Sequence, residues 1–275
     1  MTSTLHAQIQ RLLAERPGSG EALKAYAELA GLLEGAASGV SVDLPAPALD
    51  EVKFREGFPL LSREDLPLPL ERAGGVLCRI LDHLSRTGRG DAEGLKKALE
   101  RSRADEDWTC GLFASVLSGD PAGLERAARD ADLEPQGLGF LVRIALRPFM
   151  ERLRRAAADR LPGEAWTRGA CPLCGSAPDM ACLIESGKRR LHCGLCGTEW
   201  PYPRLTCPFC ENDDHERLGY LRVEGEEGVR VDVCEACRRY LKTVDRRVLE
   251  TTAPLDLEHL ATLHLDLIAA ERGYR

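Results

Sequence analysis

The sequence predicts an α+β multidomain protein: an N-terminal all-α helical domain, two tandem rubredoxin-like or zinc-ribbon modules, and a C-terminal helix. Three observations carry this expectation. Apolar residues recur at helical spacing up to about residue 160, four Cys-x-x-Cys pairs crowd into the next 67-residue stretch, and a Leu-rich amphipathic segment follows the last pair. The expected boundaries are 1–165 for the helical domain, 166–205 and 206–250 for the two modules, and 251–275 for a helix that packs back.

In the helical domain, Leu5, Ile9, Leu12 and Leu13 form one stripe and Leu23, Tyr26, Ala27, Ala30 and Leu33 the next, with Pro17 and Gly18 between them. A Pro-rich loop is expected from Val40 to Leu70, holding Pro45, Pro47, Pro59, Pro67 and Pro69. Further helices are expected at about 71–86, 91–102, 108–118, 121–131 and 136–160, and Pro148 should kink or divide the last. The helical pattern stops at Leu161-Pro162-Gly163, which sets the domain boundary. The C-terminal stretch 255–271 displays Leu257, Leu260, Leu263 and Leu267, with His264 beside them.

The cysteine pairs are Cys171/Cys174, Cys193/Cys196, Cys207/Cys210 and Cys234/Cys237. Two intervening residues let the backbone turn so that both sulfurs reach one ion, so eight thiolates make two closed tetrahedral sites. A glycine after the second Cys relieves the positive φ of that turn, and Gly175 and Gly197 supply it in the first two pairs. Glu211 and Arg238 stand there in the other two, which therefore need another form of relief. Eighteen residues separate pairs one and two and 23 separate pairs three and four, enough for a hairpin that returns the chain to its first knuckle. Sequential pairing is the simplest reading; a cross-brace, with pair one bound to pair three and pair two to pair four, is the alternative.

Disulfides are the competing use of eight cysteines. The first 13 residues lack the basic segment and apolar run of a secretion signal, and no segment approaches the ~20 apolar residues of a membrane span, so a cytosolic protein is expected, without membrane insertion. Redox dithiols are expected singly in a strand-to-helix setting, not four in series. Cys78 and Cys110 read as small core residues in helices, Cys182 as a strand residue, and His192, directly before Cys193, as the one histidine near a metal shell.

Charge and motifs bound the function. The chain has a net charge of -7, and residues 171–245 hold ten Lys/Arg against thirteen Asp/Glu, whereas a ribbon that binds phosphates should be basic. Arg189, Arg190, Arg204, Arg238 and Arg239 lie close to knuckles and read as charge compensation for thiolate cages. No Gly-rich phosphate loop and no Ser/His/Asp signature is present, so no catalytic residue is expected. Glu199, Trp200, Tyr202, Tyr240 and Lys242, beside the second and fourth knuckles, are candidates for a partner surface, with module packing as the competing reading.

The runs Cys171-Pro-x-Cys-Gly-Ser-x-Pro178, Arg190-Leu-His-Cys-x-x-Cys-x-Thr198-Glu199-Trp200, Arg204-x-x-Cys-x-x-Cys210 and Cys234-x-x-Cys-x-x-Tyr240-Leu241-Lys242 resemble the FdhE family of formate dehydrogenase accessory proteins. The ending, from Asp256-Leu-Glu-His259 to Asp266 with Gly273-Tyr274, is similar to that family's C-terminal segment. Thr-Glu-Trp and Tyr-Leu-Lys are not demanded by metal geometry, which makes their joint presence specific. The resemblance implies a cytoplasmic maturation factor whose two modules bind iron. It also implies association with the molybdenum- or tungsten-containing catalytic subunit of formate dehydrogenase, without oxidation of formate by the factor itself. A rubredoxin-type redox or electron-transfer protein and a zinc-ribbon adaptor for nucleic acid are the alternatives from other classes.

Overall fold

The computed structural model describes residues 2–15, 20–44, 46, 50–88, 90–249 and 253–275. The side chain of Leu5, and Pro17, Gly18, Pro45 and Pro47, lie outside the described residues. The chain forms two units, one of residues 28–45 and 62–156, the other of residues 1–27, 46–61 and 157–275.

Helices α1 (Thr2–Glu15), α2 (Gly20–Leu33) and α3 (Asp50–Glu56) come first, followed by α4 (Leu70–Thr87), α5 (Ala92–Ala104), α6 (Glu106–Ser118), α7 (Pro121–Asp130) and α8 (Pro135–Ala156). The starts of α5, α6 and α7 are set by Asp91, Asp105 and Asp120, whose carboxylates accept from the first free backbone N–H groups. Gly88 and Gly119 end α4 and α6 in the left-handed conformation. Helix α4 turns Ala73, Val76, Leu77, Ile80, Leu81 and Leu84 inward, the helical period read from the sequence.

Two expectations for these helices are refined. Pro148 does not divide α8: Leu146, Phe149 and Met150 around it are buried, and that packing outweighs the ~3 kcal/mol disfavour of an interior proline. The Pro-rich stretch is not wholly loop, because α3 forms within it. Asp50 and Glu51 open this helix and Lys53 and Arg55 close it, which suits the helix dipole. Arg160 forks onto Asp50 at 2.7 and 2.8 Å, and Phe54 meets Trp166 edge-on at 5.9 Å.

The second unit holds one six-stranded sheet in the order β3-β2-β1-β6-β5-β4. Its strands are β1 (Met180–Leu183), β2 (Arg189–His192), β3 (Glu199–Pro201), β4 (Leu218–Leu221), β5 (Val229–Cys234) and β6 (Tyr240–Asp245). Each half repeats one pattern: knuckle, two antiparallel strands, knuckle, third strand. The halves are not separate sheets. Strands β1 and β6 pair in parallel, with Met180 opposite Lys242 and Cys182 opposite Val244. The core on one side combines Met180, Cys182, Val231 and Val244 with Leu255, Leu265 and Ala269 from the C-terminal helices.

The C-terminal helix expected over 255–271 is two helices, after a short α9 (Arg246–Leu249): α10 (Leu255–Ala261) and α11 (Leu263–Glu271). They break at Thr262, whose hydroxyl donates to Glu258 O at 2.7 Å, while Lys242 Nζ donates to the carbonyl of His259 at 3.0 Å. The break rotates the apolar stripe. Leu257 and Leu260 are buried as expected, but Leu263 and Leu267 face solvent and Leu265 and Ala269 take their place inside.

Lys242 pins this arrangement. It is 1% exposed, its Nζ lies 2.7 Å from Asp266 Oδ2, and Tyr240 donates to the other Asp266 oxygen at 2.9 Å. Burial pushes the lysine pKa down, and Asp266 opposes that. Removing one partner of a buried pair strands the other, so Lys242→Ala should lower unfolding free energy by ~3 kcal/mol or more, measured by denaturant titration. Lys242→Ala within experimental error of the wild type would show that the ammonium does not hold the C-terminal helices.

Candidate metal centres

Each Cys-x-x-Cys pair forms the same local turn. The residue four after the first Cys donates its N–H to that Cys carbonyl: Gly175 to Cys171, Gly197 to Cys193, Glu211 to Cys207 and Arg238 to Cys234, at 2.8–3.0 Å. The first Cys in turn donates to the residue five ahead: Ser176, Thr198, Asn212 and Arg239. This double clasp requires a left-handed residue, with φ of 72° at Gly175, 71° at Gly197, and 58° at both Glu211 and Arg238. The last two knuckles therefore have no alternative turn: Glu211 and Arg238 carry the strain themselves. Arg238 is held by other contacts, its Nη2 donating to Arg272 O at 3.0 Å and its guanidinium lying over the Tyr274 ring at 4.2 Å.

The eight sulfurs gather sequentially into two groups, Cys171/Cys174/Cys193/Cys196 and Cys207/Cys210/Cys234/Cys237, each with its sulfurs within 4.8 Å of one another. A tetrahedral ion with ~2.3 Å metal–sulfur bonds sets its ligands about 3.8 Å apart, and a disulfide would bring them to about 2.05 Å. The measured separations are 3.5 Å for Cys171–Cys196, 3.6 Å for Cys174–Cys193, and 3.7 Å for both Cys207–Cys237 and Cys210–Cys234. Both groups fit a four-sulfur ion, and no cysteine is joined in a disulfide.

The two sites differ in exposure. All four sulfur residues of the first are buried, whereas Cys210 is exposed and Cys237 half-buried in the second. In the first, Ser176 Oγ lies 3.3 Å from the Cys174 sulfur and Thr198 Oγ1 3.1 Å from that of Cys196, positions from which hydroxyls donate to thiolates. Burial pushes the Cys171 thiol up, while hydrogen bonding from Cys171, Cys193 and Cys196 holds Cys174 down. Burial likewise raises Cys207; at Cys210 it is outweighed by the Asn212 N–H and the neighbouring thiols, and the pKa falls.

The remaining candidates separate clearly. Trp200 is buried and donates to Arg168 O at 3.2 Å; Tyr202 is buried and donates to Cys207 O at 3.3 Å. Lys242 is buried as well. Glu199 and Tyr240 stay half-buried, Glu199 lying 3.7 Å from Arg246. His192 does not touch sulfur: its two ring nitrogens face Asp179 at 2.8 Å and Asp256 at 3.7 Å. Cys182 is a core strand residue whose thiol burial pushes up to about 11. Cys110 is exposed, not core, because α6 turns Leu112, Phe113 and Val116 inward instead.

Residues 59–61 were invisible in the sequence as part of this site. Leu60 and Leu61 donate their N–H groups to the carbonyls of Pro172 and Leu173 at 2.8 and 2.9 Å, clamping the first knuckle from outside its own module. No spacing rule connects residue 60 to residue 172.

These features define a two-site, four-sulfur metal-binding protein of the knuckle type. Residues 170–204 match the family description "FdhE, central domain" and residues 205–275 match "FdhE, C-terminal domain". A homologue from Aquifex aeolicus is 28% identical over 214 residues, covering 69% of this chain and 74% of the relative. One from Pseudomonas aeruginosa is 40% identical across 64% of this chain and 57% of its own length, and the Escherichia coli FdhE protein is 32% identical across 72% and 61%. The crystal structure of the FdhE protein from P. aeruginosa superposes with a TM-score of 0.73 over all of this chain and 93% of that one, at 24% identity, which establishes a shared fold. Residues 170–275 thus carry the FdhE central and C-terminal domains, and the chain is similar to FdhE proteins over most of its length.

The knuckle geometry makes a paired prediction. Gly175→Ala places a Cβ at φ 72° and 3.1 Å from Pro59, and should cost about 1–2 kcal/mol. Glu211→Gly lifts the same strain while loosening the unfolded chain, and should fall within ~1 kcal/mol of the wild type. Thermal melting of the metal-loaded variants tests both; equal losses would mean that backbone conformation is not the discriminating factor.

Proposed function

We propose that this protein is an accessory factor for the maturation of formate dehydrogenase, binding the catalytic subunit in the cytoplasm and not oxidising formate itself. The observation that carries the reading is the pair of closed four-sulfur cages in a chain that carries the FdhE central and C-terminal domains. Four thiolates fill the coordination of an ion, leaving no position for a substrate or an activated water, so the cages suit holding or sensing another protein better than hydrolysis. No helix among the described residues is long and apolar enough to cross a membrane, which agrees with a factor acting before export.

Iron is the ion we assign to both cages, with Cys171, Cys174, Cys193 and Cys196 holding one and Cys207, Cys210, Cys234 and Cys237 the other. Iron in such a cage supplies one-electron exchange, which zinc does not. The net acidic character of the metal region weighs against a nucleic-acid adaptor.

Affinity capture of the tagged full chain, co-expressed with the dehydrogenase, tests the proposal. The catalytic subunit should co-purify, and deletion of the gene should abolish formate dehydrogenase activity while leaving the subunit's synthesis intact. Full dehydrogenase activity in the deletion strain would refute the accessory role, and visible absorbance that cycles with oxidant in a chain that captures no subunit would favour the rubredoxin-type alternative.

A further inference from the structure

Arg189 is a buried cation with no carboxylate of its own. It begins β2, is 5% exposed, and uses one terminal nitrogen to reach the carbonyls of Pro203 and Thr206, the latter at 2.5 Å. Its Nε has no hydrogen-bond partner, and no carboxylate lies within 4 Å of its nitrogens among the described residues. The nearest acid by charge is Asp232, but Asp232 is taken: Arg230 Nε lies 2.7 Å from one oxygen and Thr243 donates to the other at 2.8 Å. Two guanidinium groups thus share one carboxylate, and one positive charge is left inside the protein.

The groups that do hold the guanidinium lead to the second four-sulfur site. Thr206, which accepts from Arg189, directly precedes Cys207, and the Tyr202 ring under the guanidinium at 5.3 Å donates its hydroxyl to Cys207 O. Burial is the largest influence on Arg189 and works against its charge; Asp232, Tyr202 and Cys207 favour that charge. A divalent ion with four thiolates carries a net charge of about -2, which asks for a nearby cation.

We propose that Arg189, supplied by the strand of the first module, is the counter-charge of the second four-sulfur site and selectively retains its metal. The proposal rests on metal occupying that site. It makes the second cage, which is open to solvent at Cys210, depend on the folding of the first module, since β2 runs directly into Cys193. Arg189 is a positioning residue here, acting on charge and on the loop that leads into the knuckle.

Zinc release from the loaded full chain to a chromogenic chelator tests this, with the phase abolished by Cys210→Ser assigned to the second site. Arg189→Gln should speed that phase by about tenfold or more and leave the other within about twofold, and Arg189→Lys, which keeps the charge, should restore it to within about threefold of wild type. Arg222→Gln, which alters an exposed arginine given no role at either cage, should change neither phase. Unchanged release from Arg189→Gln, equal acceleration of both phases, or a Lys variant as fast as Gln would each overturn the proposal. If Arg189→Gln does not fold, the Lys variant decides: release like wild type supports a charge role, and accelerated release contradicts it. A wild-type chain that binds neither zinc nor iron would instead defeat the metal reading itself, a separate failure.

Discussion

Everything in the metal-bearing unit answers to one demand: four sulfurs from two distant turns must meet at a point, twice. The demand is met locally by the double backbone clasp, formed four times with the same hydrogen bonds and the same left-handed residue. Once each knuckle is fixed, the intervening chain returns as a hairpin, and the two halves share one three-strand pattern. The strands are short, three to six residues, and a two- or three-stranded ribbon of that size is marginal alone. Fusion through β1 and β6 turns two weak ribbons into one sheet with a common core.

That fusion explains residues whose identity metal binding does not dictate. Thr198 places its hydroxyl on the Cys196 sulfur, Trp200 ties β3 to the chain entering the first knuckle, and Tyr240 and Lys242 converge on Asp266. Asp256 approaches His192. The residues that made the resemblance specific are thus the bolts between knuckles, sheet and C-terminal helices. Of these residues Thr198, Trp200 and Lys242 are buried, and Tyr240 is half-buried.

The four Cys pairs and the positions of α4 to α8 could be read from the sequence because each depends on residues close in the chain, whereas the sequential grouping was the simpler of two readings that the spacing left open. Helix periodicity and caps such as Asp91 and Asp120 are local, and so are the knuckle turns. What escaped was set by distant partners. The break at Thr262 arises because Lys242, 20 residues earlier, draws on carbonyls that a continuous helix would keep for itself. The clamp of Leu60 and Leu61 on the first knuckle spans more than 100 residues, the burial of Lys242 goes with its bonds to His259 and Asp266 of the C-terminal helices, and buried Trp200 bonds to the chain at Arg168. Glu211 and Arg238 show a different lesson: the missing glycine marked a strained position, not a different turn.

Metal analysis of the full chain purified without oxygen, joined with X-ray absorption at the metal edge, tests the central claim most directly. The account predicts two ions per chain, each surrounded by four sulfurs at ~2.3 Å. A metal-free chain with these cysteines joined as disulfides, or an ion ligated by nitrogen or oxygen in place of sulfur, would contradict it.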